Sequence, residues 1–296
     1  MPNPGATRRA FAIGIAINLA FVVLEASFGW WADSLALLAD ASHNFGDVIG
    51  LALAWGAATL ATRRPSQRFT YGLGGSTILA ALANAMLLLI AVGGIVWAAI
   101  ERLVEPVPVN EMVVIWIAAA GIVVNTATAL LFVAGRKEDL NVRGAFLHMV
   151  ADAAVSACVV LAGLAIHYTG MNWIDPATSI VIALVIFAGT WGLLRESMRL
   201  ALAAVPTGID DDAIRGFLCA LPGVAAVHDL HIWAMSTSEN ALTAHLVMPR
   251  GHPGDAFLAD AAHRIEHDFR VGHVTLQIET EECAAPCKLE ASHAPR

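Results

Sequence analysis

Two histidine and aspartate pairs with the same spacing stand out in an otherwise apolar sequence. His43 precedes Asp47 by four residues, and His148 precedes Asp152 by four residues. Side chains at positions i and i+4 lie on one face of an α-helix, so each pair would present an imidazole and a carboxylate in the same direction. If the two faces meet, they offer two nitrogen and two oxygen ligands, a set that suits tetrahedral Zn(II) at about 2.0 to 2.2 Å.

The apolar surroundings of both pairs favour a metal site. Each pair lies near the middle of a long apolar segment, where an isolated ionised Asp is disfavoured by about 2.5 to 3.5 kcal/mol. A divalent cation would offset that free energy for both carboxylates. The alternative is that each pair forms an intrahelical hydrogen bond in a packed polar seam. Asp40 lies on the same stripe, and three roles are open to it: an acceptor for a ligand imidazole, a stop on the ion path, or a helix-end carboxylate in a watery vestibule.

The composition places both pairs in a membrane domain. The chain has 296 residues, of which 57% are hydrophobic and 14% charged, against about 45 to 50% and roughly 25% in average soluble proteins. A bilayer span needs roughly 20 mainly apolar residues. Six segments qualify: 10–31, 34–60, 77–100, 112–134, 142–167 and 176–195. The sequence therefore predicts six transmembrane helices within residues 1–205, with the two pairs in the second and fifth helices.

The basic residues predict which ends of the helices face the cytoplasm. They precede the first helix, join the second to the third and the fourth to the fifth, and follow the sixth: Arg8, Arg9, Arg63, Arg64, Arg68, Arg136, Lys137, Arg195 and Arg199. Because cytoplasmic connections carry the excess of Lys and Arg, both termini are expected in the cytoplasm. A net charge of -8 argues against a nucleic-acid partner. Frequent Ala, Gly and Arg with only two lysines favour a bacterial inner membrane.

From residue 206 the sequence changes to that of a small soluble domain. Residues 206–296 contain 13 acidic and six basic residues. Capping and turn residues predict a helix after Asp210, strands over 227–235 and 241–248, a helix over 254–269 and a strand over 273–279. The predicted domain, 206–282, has the order α-β-β-α-β with both helices on one face of the sheet, and 283–296 is expected to be a flexible tail.

Four motifs together resemble the cation diffusion facilitator family of proton-coupled divalent-metal exporters. They are Leu38-Ala-Asp40-Ala-Ser-His43-Asn-Phe-Gly-Asp47, Ile78-Leu-Ala-Ala-Leu-Ala-Asn84, His148-Met-Val-Ala-Asp152 and His228-Asp-Leu-His231-Ile-Trp233. The resemblance covers roughly residues 10–285. It implies six helices, a transport site between the second and fifth helices, a cytosolic domain of ferredoxin-like (metallochaperone-like) fold, and a homodimer.

The resemblance also implies a second metal site in the soluble domain. His231, His245 and Glu279 match positions that bind a regulatory metal in related cytosolic domains. Cys283 and Cys287 could add soft ligands, although their spacing is a weaker signal than the usual Cys-x-x-Cys. Strand alternation places His228 and His231 on opposite faces. The alternative is that these are surface or interfacial histidines of a dimerising sheet.

Two features depart from the pattern of the family. Gly75 and Thr77 stand at the start of the third helix, where related proteins often have an Arg and a Glu, so the polar contact made by those residues is expected to be missing. The amino terminus and the loop between the fourth and fifth helices contain no histidine-rich tract. The metal preference among Zn, Cd, Co and Ni is therefore left open.

The expected function is efflux of Zn(II), and of Cd, Co or Ni, from the cytoplasm by exchange for protons at His43, Asp47, His148 and Asp152. Zinc is the expected cargo and a candidate regulatory ion in the soluble domain. Two alternatives come from other classes of protein: a membrane metal sensor that transports nothing, and an intramembrane zinc hydrolase. The sequence has no HExxH helix and no evident nucleophile or base beside the pairs, so an enzyme is not expected.

Overall fold

A computed structural model describes residues 4–133 and 140–280. Within those residues six long helices precede a small α/β region: α1 (Pro4–Trp31), α2 (Leu35–Ala61), α3 (Ser76–Val104), α4 (Glu111–Phe132), α5 (Leu140–Thr169) and α6 (Ile174–Ala201). Five of them, α2 to α6, contain stretches long and apolar enough to cross a membrane, whereas the apolar part described in α1, Ala16–Trp31, is shorter. Large apolar side chains such as Leu79, Ile90 and Trp116 are exposed on these helices, as expected of helices surrounded by lipid.

Small residues allow the helices of the first compact unit, Met1–Leu53 and Ala83–Gly192, to pack closely. Gly46 and Gly50 lie one turn apart on α2, and a Cβ atom at either position would meet Leu88 or Asn84 of α3 within 3 Å. On α4, a Cβ atom at Gly121 would lie 2.9 Å from the Ser156 hydroxyl oxygen of α5. Small residues let helix backbones approach within a membrane, so these glycines bring α3 against α2 and α5 against α4.

A buried aspartate fixes the start of α2. The Ser34 hydroxyl donates a hydrogen bond of 2.5 Å to Oδ1 of Asp175, at the start of α6, and the Leu35 N–H donates one of 2.7 Å to Oδ2. The carboxylate thus satisfies backbone donors that a helix terminus otherwise leaves unpaired. It joins the first turns of α2 and α6, and so restrains the helix that carries His43 and Asp47.

The second compact unit comprises Ala54–Leu82 and the chain from Leu193 onward. Its C-terminal domain contains α7 (Asp211–Cys219), β1 (Ala226–Ala234), β2 (Asn240–Val247), α8 (Asp255–Phe269) and β3 (His273–Glu279). The sheet order is β1-β2-β3, with β1 antiparallel and β3 parallel to β2. The Asp210 side chain caps α7 by accepting a hydrogen bond from the Ala213 N–H. The apolar core beneath the sheet includes Ile214, Leu218, Leu242, Leu246 and Ile265.

A β-bulge in β1 corrects one sequence-based expectation. His228 pairs with His245 and His231 pairs with Thr243, so two residues of β1 lie opposite a single residue of β2. Asp229, in the bulge, has a φ of 49°. Strict alternation placed His228 and His231 on opposite faces, and that prediction is wrong because the extra residue returns both to the face of His245.

The first turn of α3 and the loop before it contact the C-terminal domain within the second unit. The Thr237 N–H, in the turn between β1 and β2, donates a hydrogen bond of 3.0 Å to the Thr77 hydroxyl oxygen. A Cβ atom at Gly74 would lie 3.0 Å from the Met235 carbonyl oxygen. Thr77 therefore makes a polar contact of its own with the C-terminal domain.

Candidate metal centres

Helices α2 and α5 bring the two predicted pairs together. His43 Nε2 lies 3.9 Å from Asp47 Oδ2 and 3.8 Å from Asp152 Oδ1. His148 Nε2 lies 3.0 Å from Asp47 Oδ2 and 3.6 Å from Asp152 Oδ2. Imidazoles and carboxylates therefore alternate around a ring of four side chains, which we call the membrane ring.

The dimensions of the membrane ring suit one small divalent ion. In a regular tetrahedron with metal–ligand bonds of about 2.05 Å, neighbouring ligand atoms are about 3.3 Å apart. The four contacts of 3.0 to 3.9 Å bracket that separation. The imidazoles of His43 and His148 are T-shaped with centroids 6.1 Å apart, so coordination of one ion would draw them toward each other.

The membrane ring is buried on one side and accessible on the other. The Asp152 side chain is only 2% exposed, whereas those of Asp47 and His148 are 30% and 41% exposed. Asp47 and His148 therefore form the exposed part of the membrane ring, and Asp152 forms its buried part.

Asp40 lies beside the membrane ring but is not an acceptor for its imidazoles. Its Oδ2 accepts a hydrogen bond of 3.0 Å from the Ser156 hydroxyl of α5, and Nδ1 of His43 has no hydrogen-bond partner among the described residues. The predicted acceptor role for Asp40 is therefore not the arrangement found. Ser156 lies one helical turn after Asp152 and so shares its face of α5, but its contact with Asp40 of α2 could not be read from the sequence.

The C-terminal domain contains a second group of ligand-type side chains. His228 Nε2 and His245 Nδ1 each lie 3.0 Å from an oxygen of Glu279, and ligand atoms of these three residues lie within 4.8 Å of one another. We call them the sheet cluster. Among the residues predicted from sequence, His245 and Glu279 belong to it.

The remaining predicted residues of this site lie beside the sheet cluster or outside the described residues. His231 Nε2 lies 2.9 Å from Asp229 Oδ1, and Asp229 Oδ2 lies 3.6 Å from His245 Nε2. Asp229 therefore connects His231 to the cluster, while His228 takes the place predicted for His231 because of the bulge. Cys283 and Cys287 lie outside the described residues.

Glu279 is held in its ionised form. Burial by itself would raise its pKa, but hydrogen bonds from His228 and Gln277 and the charges of His228 and His245 outweigh burial and lower the pKa of Glu279 below its ordinary value. An ionised carboxylate beside two imidazoles is a donor set that binds Zn(II). The same contacts make the cluster sensitive to acid.

Comparison with known proteins accounts for both halves of the chain. The model described as "Cation efflux transmembrane domain" matches residues 11–200, and the model described as "Cation efflux protein, cytoplasmic domain" matches residues 206–281. The chain belongs to the cation efflux family. This confirms the resemblance inferred from the four motifs, and both metal centres lie within the matched residues.

Curated relatives match over nearly the whole chain. The cation efflux system protein CzcD of Alcaligenes sp. (strain CT14) is 32% identical over 282 residues, covering 95% of this chain and 89% of the relative. The zinc transporter ZitB of Escherichia coli (strain K12) is 34% identical over 283 residues, covering 95% and 90%. The cadmium, cobalt and zinc/H(+)-K(+) antiporter of Bacillus subtilis (strain 168) is 33% identical over 284 residues, covering 94% and 91%.

Family membership settles the class of function. The protein is an integral membrane transporter that moves divalent metal cations out of the cytoplasm, with a C-terminal cytoplasmic domain built on a small sheet. It is not an enzyme, so the alternative of an intramembrane hydrolase is excluded.

Proposed function

We propose that this protein exports Zn(II) from the cytoplasm in exchange for protons, and that the membrane ring of His43, Asp47, His148 and Asp152 is the transport site. The observation that carries the proposal is the convergence of the four side chains, with imidazoles and carboxylates alternating at 3.0 to 3.9 Å. Zinc is the cargo in this proposal, and the ring supplies all four of its ligands.

The ligand types and the relatives both favour zinc. Two nitrogen and two carboxylate oxygen ligands match the tetrahedral preference of Zn(II). ZitB is named as a zinc transporter, and the Bacillus subtilis relative is named for cadmium and cobalt as well as zinc. Cadmium, cobalt and nickel are therefore the metals to compare with zinc.

Histidine gives the membrane ring a way to exchange metal for protons. Imidazole nitrogen binds either a proton or a metal, and it exchanges protons near neutral pH. Zinc entering from the cytoplasm would displace protons from His43 and His148, and protons arriving from the other side would later displace zinc. A gradient of one pH unit supplies about 1.4 kcal/mol for each proton exchanged.

The proposal includes the arrangement of the protein in the membrane. All six long helices cross the bilayer, both termini lie in the cytoplasm, and the host membrane is a bacterial inner membrane. The cytoplasmic domain, residues 206–282 with a ferredoxin-like order of elements, joins two copies into a homodimer. The description of the matched domain and the bacterial sources of the relatives support this arrangement.

A regulatory metal in the cytoplasmic domain is part of the same proposal. The sheet cluster of His228, His245 and Glu279 offers two imidazoles and an ionised carboxylate, and Asp229 lies beside it. This donor set fits Zn(II). When bound, the ion would hold β1, β2 and β3 together at one face of the sheet.

The transport site is tested by zinc flux into liposomes under an imposed pH gradient, with each candidate metal measured separately. His148→Ala should lower zinc flux at least tenfold, because it removes one of four ligands. His167→Ala is the matched control, since His167 also lies on α5 but is exposed and contacts Glu111. Equal zinc flux in His148→Ala and the wild type would exclude the membrane ring as the transport site. Zinc binding without zinc flux in the wild type, beside flux of another metal, would refute zinc as the cargo.

A further inference from the structure

Two fully buried carboxyl groups lie side by side next to the membrane ring. Glu25 of α1 and Asp40 of α2 are each 0% exposed. Glu25 Oε2 accepts a hydrogen bond of 3.4 Å from the Asn44 amide, and Asp40 Oδ2 accepts one from Ser156. The other two oxygens, Glu25 Oε1 and Asp40 Oδ1, receive no hydrogen bond from the described residues.

These two carboxyl groups are hydrogen-bonding neighbours of each other. An ionised carboxylate can only accept hydrogen bonds, whereas a protonated one also donates. If both groups were ionised, two acceptors would face each other with no hydrogen between them. One proton would turn the contact into a donor and an acceptor.

Among the side chains that the structure describes in α1, α2, α4 and α5, none is a Lys or Arg that could compensate this pair. The described parts of α1, α2, α4 and α5 that carry side-chain information, residues 16–31, 35–61, 111–131 and 146–169, contain no Lys or Arg. The ionisable group of α5 that acts on Glu25 is Asp152, which is also acidic. On α2, His43 and Asp47 belong to the membrane ring, and α4 has no ionisable residue between Met112 and Leu131.

Glu25 and Asp40 are both buried, with no Lys or Arg beside them among the described side chains, and this burial determines how many negative charges the pair can carry. Two neighbouring carboxylates that share an apolar site cannot both be ionised without a large free-energy cost. We propose that Glu25 and Asp40 form a proton-binding site separate from the membrane ring, and that one proton stays shared between their two carboxyl groups at neutral pH. The pair then carries one negative charge instead of two.

The resident proton limits the negative charge beside the transported ion. With zinc bound, the two carboxylates of the membrane ring balance the ion, and the pair contributes a single negative charge. A second negative charge there would bind zinc more tightly and hinder its release. This consequence rests on the proposed transport site, whereas the protonation of the pair can be measured without any metal.

Infrared spectroscopy of the full-length protein in lipid, without added metal, tests the shared proton directly. The carbonyl band of a protonated carboxylic acid should be present at neutral pH in the wild type and should disappear in both Glu25→Gln and Asp40→Asn, because each variant leaves one ionised carboxylate hydrogen-bonded to an amide. Glu111→Gln, which removes an accessible carboxylate, should keep the band. A wild-type spectrum without the band, or a band unchanged in both variants, would overturn the proposal.

Zinc affinity provides a second readout. Glu25→Gln should bind zinc within about threefold of the wild type, because the pair keeps one negative charge, while the double variant Glu25→Gln/Asp40→Asn should lose at least about tenfold. If Glu25→Gln alone lost as much affinity as the double variant, both carboxylates would have been ionised and the proposal would be wrong. If the carbonyl band were missing and wild-type zinc binding depended on potassium or sodium, the proposal would be wrong, and the two carboxylates would instead bind an alkali cation.

Discussion

Replacing Asp47 with Asn removes one charge from the membrane ring while nearly preserving its shape. Asp47 Oδ2 contacts both imidazoles, at 3.0 Å from His148 and 3.9 Å from His43. Two unit charges about 4 Å apart interact by about 4 kcal/mol at an effective dielectric constant near 20, the value suited to a partly accessible site. A bound Zn(II) would carry two charges and lie about 2.0 to 2.2 Å from a ligand oxygen, so the attraction lost is at least as large as that reference value. Because the Asn amide oxygen remains a weak ligand and offsets part of it, we expect Asp47→Asn to lose at least about 3 kcal/mol of zinc-binding free energy, or somewhat more than a hundredfold in affinity.

Competition between the purified protein and a chelator of known zinc affinity measures this loss. The measurement is made on the full chain, and the sheet cluster is accounted for by a parallel titration of His245→Ala. Asp33→Asn is the matched control, since Asp33 lies in the turn before α2 with its side chain 59% exposed. An Asp47→Asn affinity within about threefold of the wild type would refute the assignment of Asp47 as a charged ligand.

Three further changes test the packing and the cytoplasmic domain. Gly50→Ala should lower stability by about 1 to 3 kcal/mol in thermal unfolding, because its methyl group would lie 2.7 Å from the Asn84 side chain of α3. Gly56→Ala, on the same helix, meets nothing within 4 Å and should be tolerated. Equal unfolding temperatures for the two variants would contradict this prediction. Thr77→Val removes the acceptor for the Thr237 N–H, so amide exchange at Thr237 should accelerate by roughly fivefold, the equivalent of about 1 kcal/mol, while Thr77→Ser should not change it. Since the contacts of Glu279 lower its pKa, its contribution to the free energy of unfolding should be present above the ordinary pKa of Glu and decline as the pH falls through the lowered value. Glu279→Gln should flatten that decline in stability at acid pH. An unchanged dependence of stability on pH would count against the contacts.

Much of the candidate transport site could be predicted from local spacing. Histidine and aspartate four residues apart share a helix face whatever else the chain does, and the hydropathy of the flanking residues predicts where long apolar helices lie. The sequence could not predict that Asp152 would be buried while Asp47 and His148 stay accessible, because exposure depends on how α2 and α5 rotate against their neighbours. The partners of Asp40 could not be predicted for the same reason, since Ser156 and Glu25 come from other helices.

In the C-terminal domain, too, some features follow from residues near in sequence and others depend on how the strands pair. The order of helices and strands follows from capping and turn residues near in sequence, but the face on which a strand presents each side chain depends on its register with its partner. The bulge at Asp229 is invisible to strict alternation, and it moves His228 onto the face of His245. Local sequence therefore determined the helices, the paired spacings and the order of helices and strands along the chain. Contacts between residues far apart in sequence decided which donors meet, which are buried, and which carboxyl groups lie together.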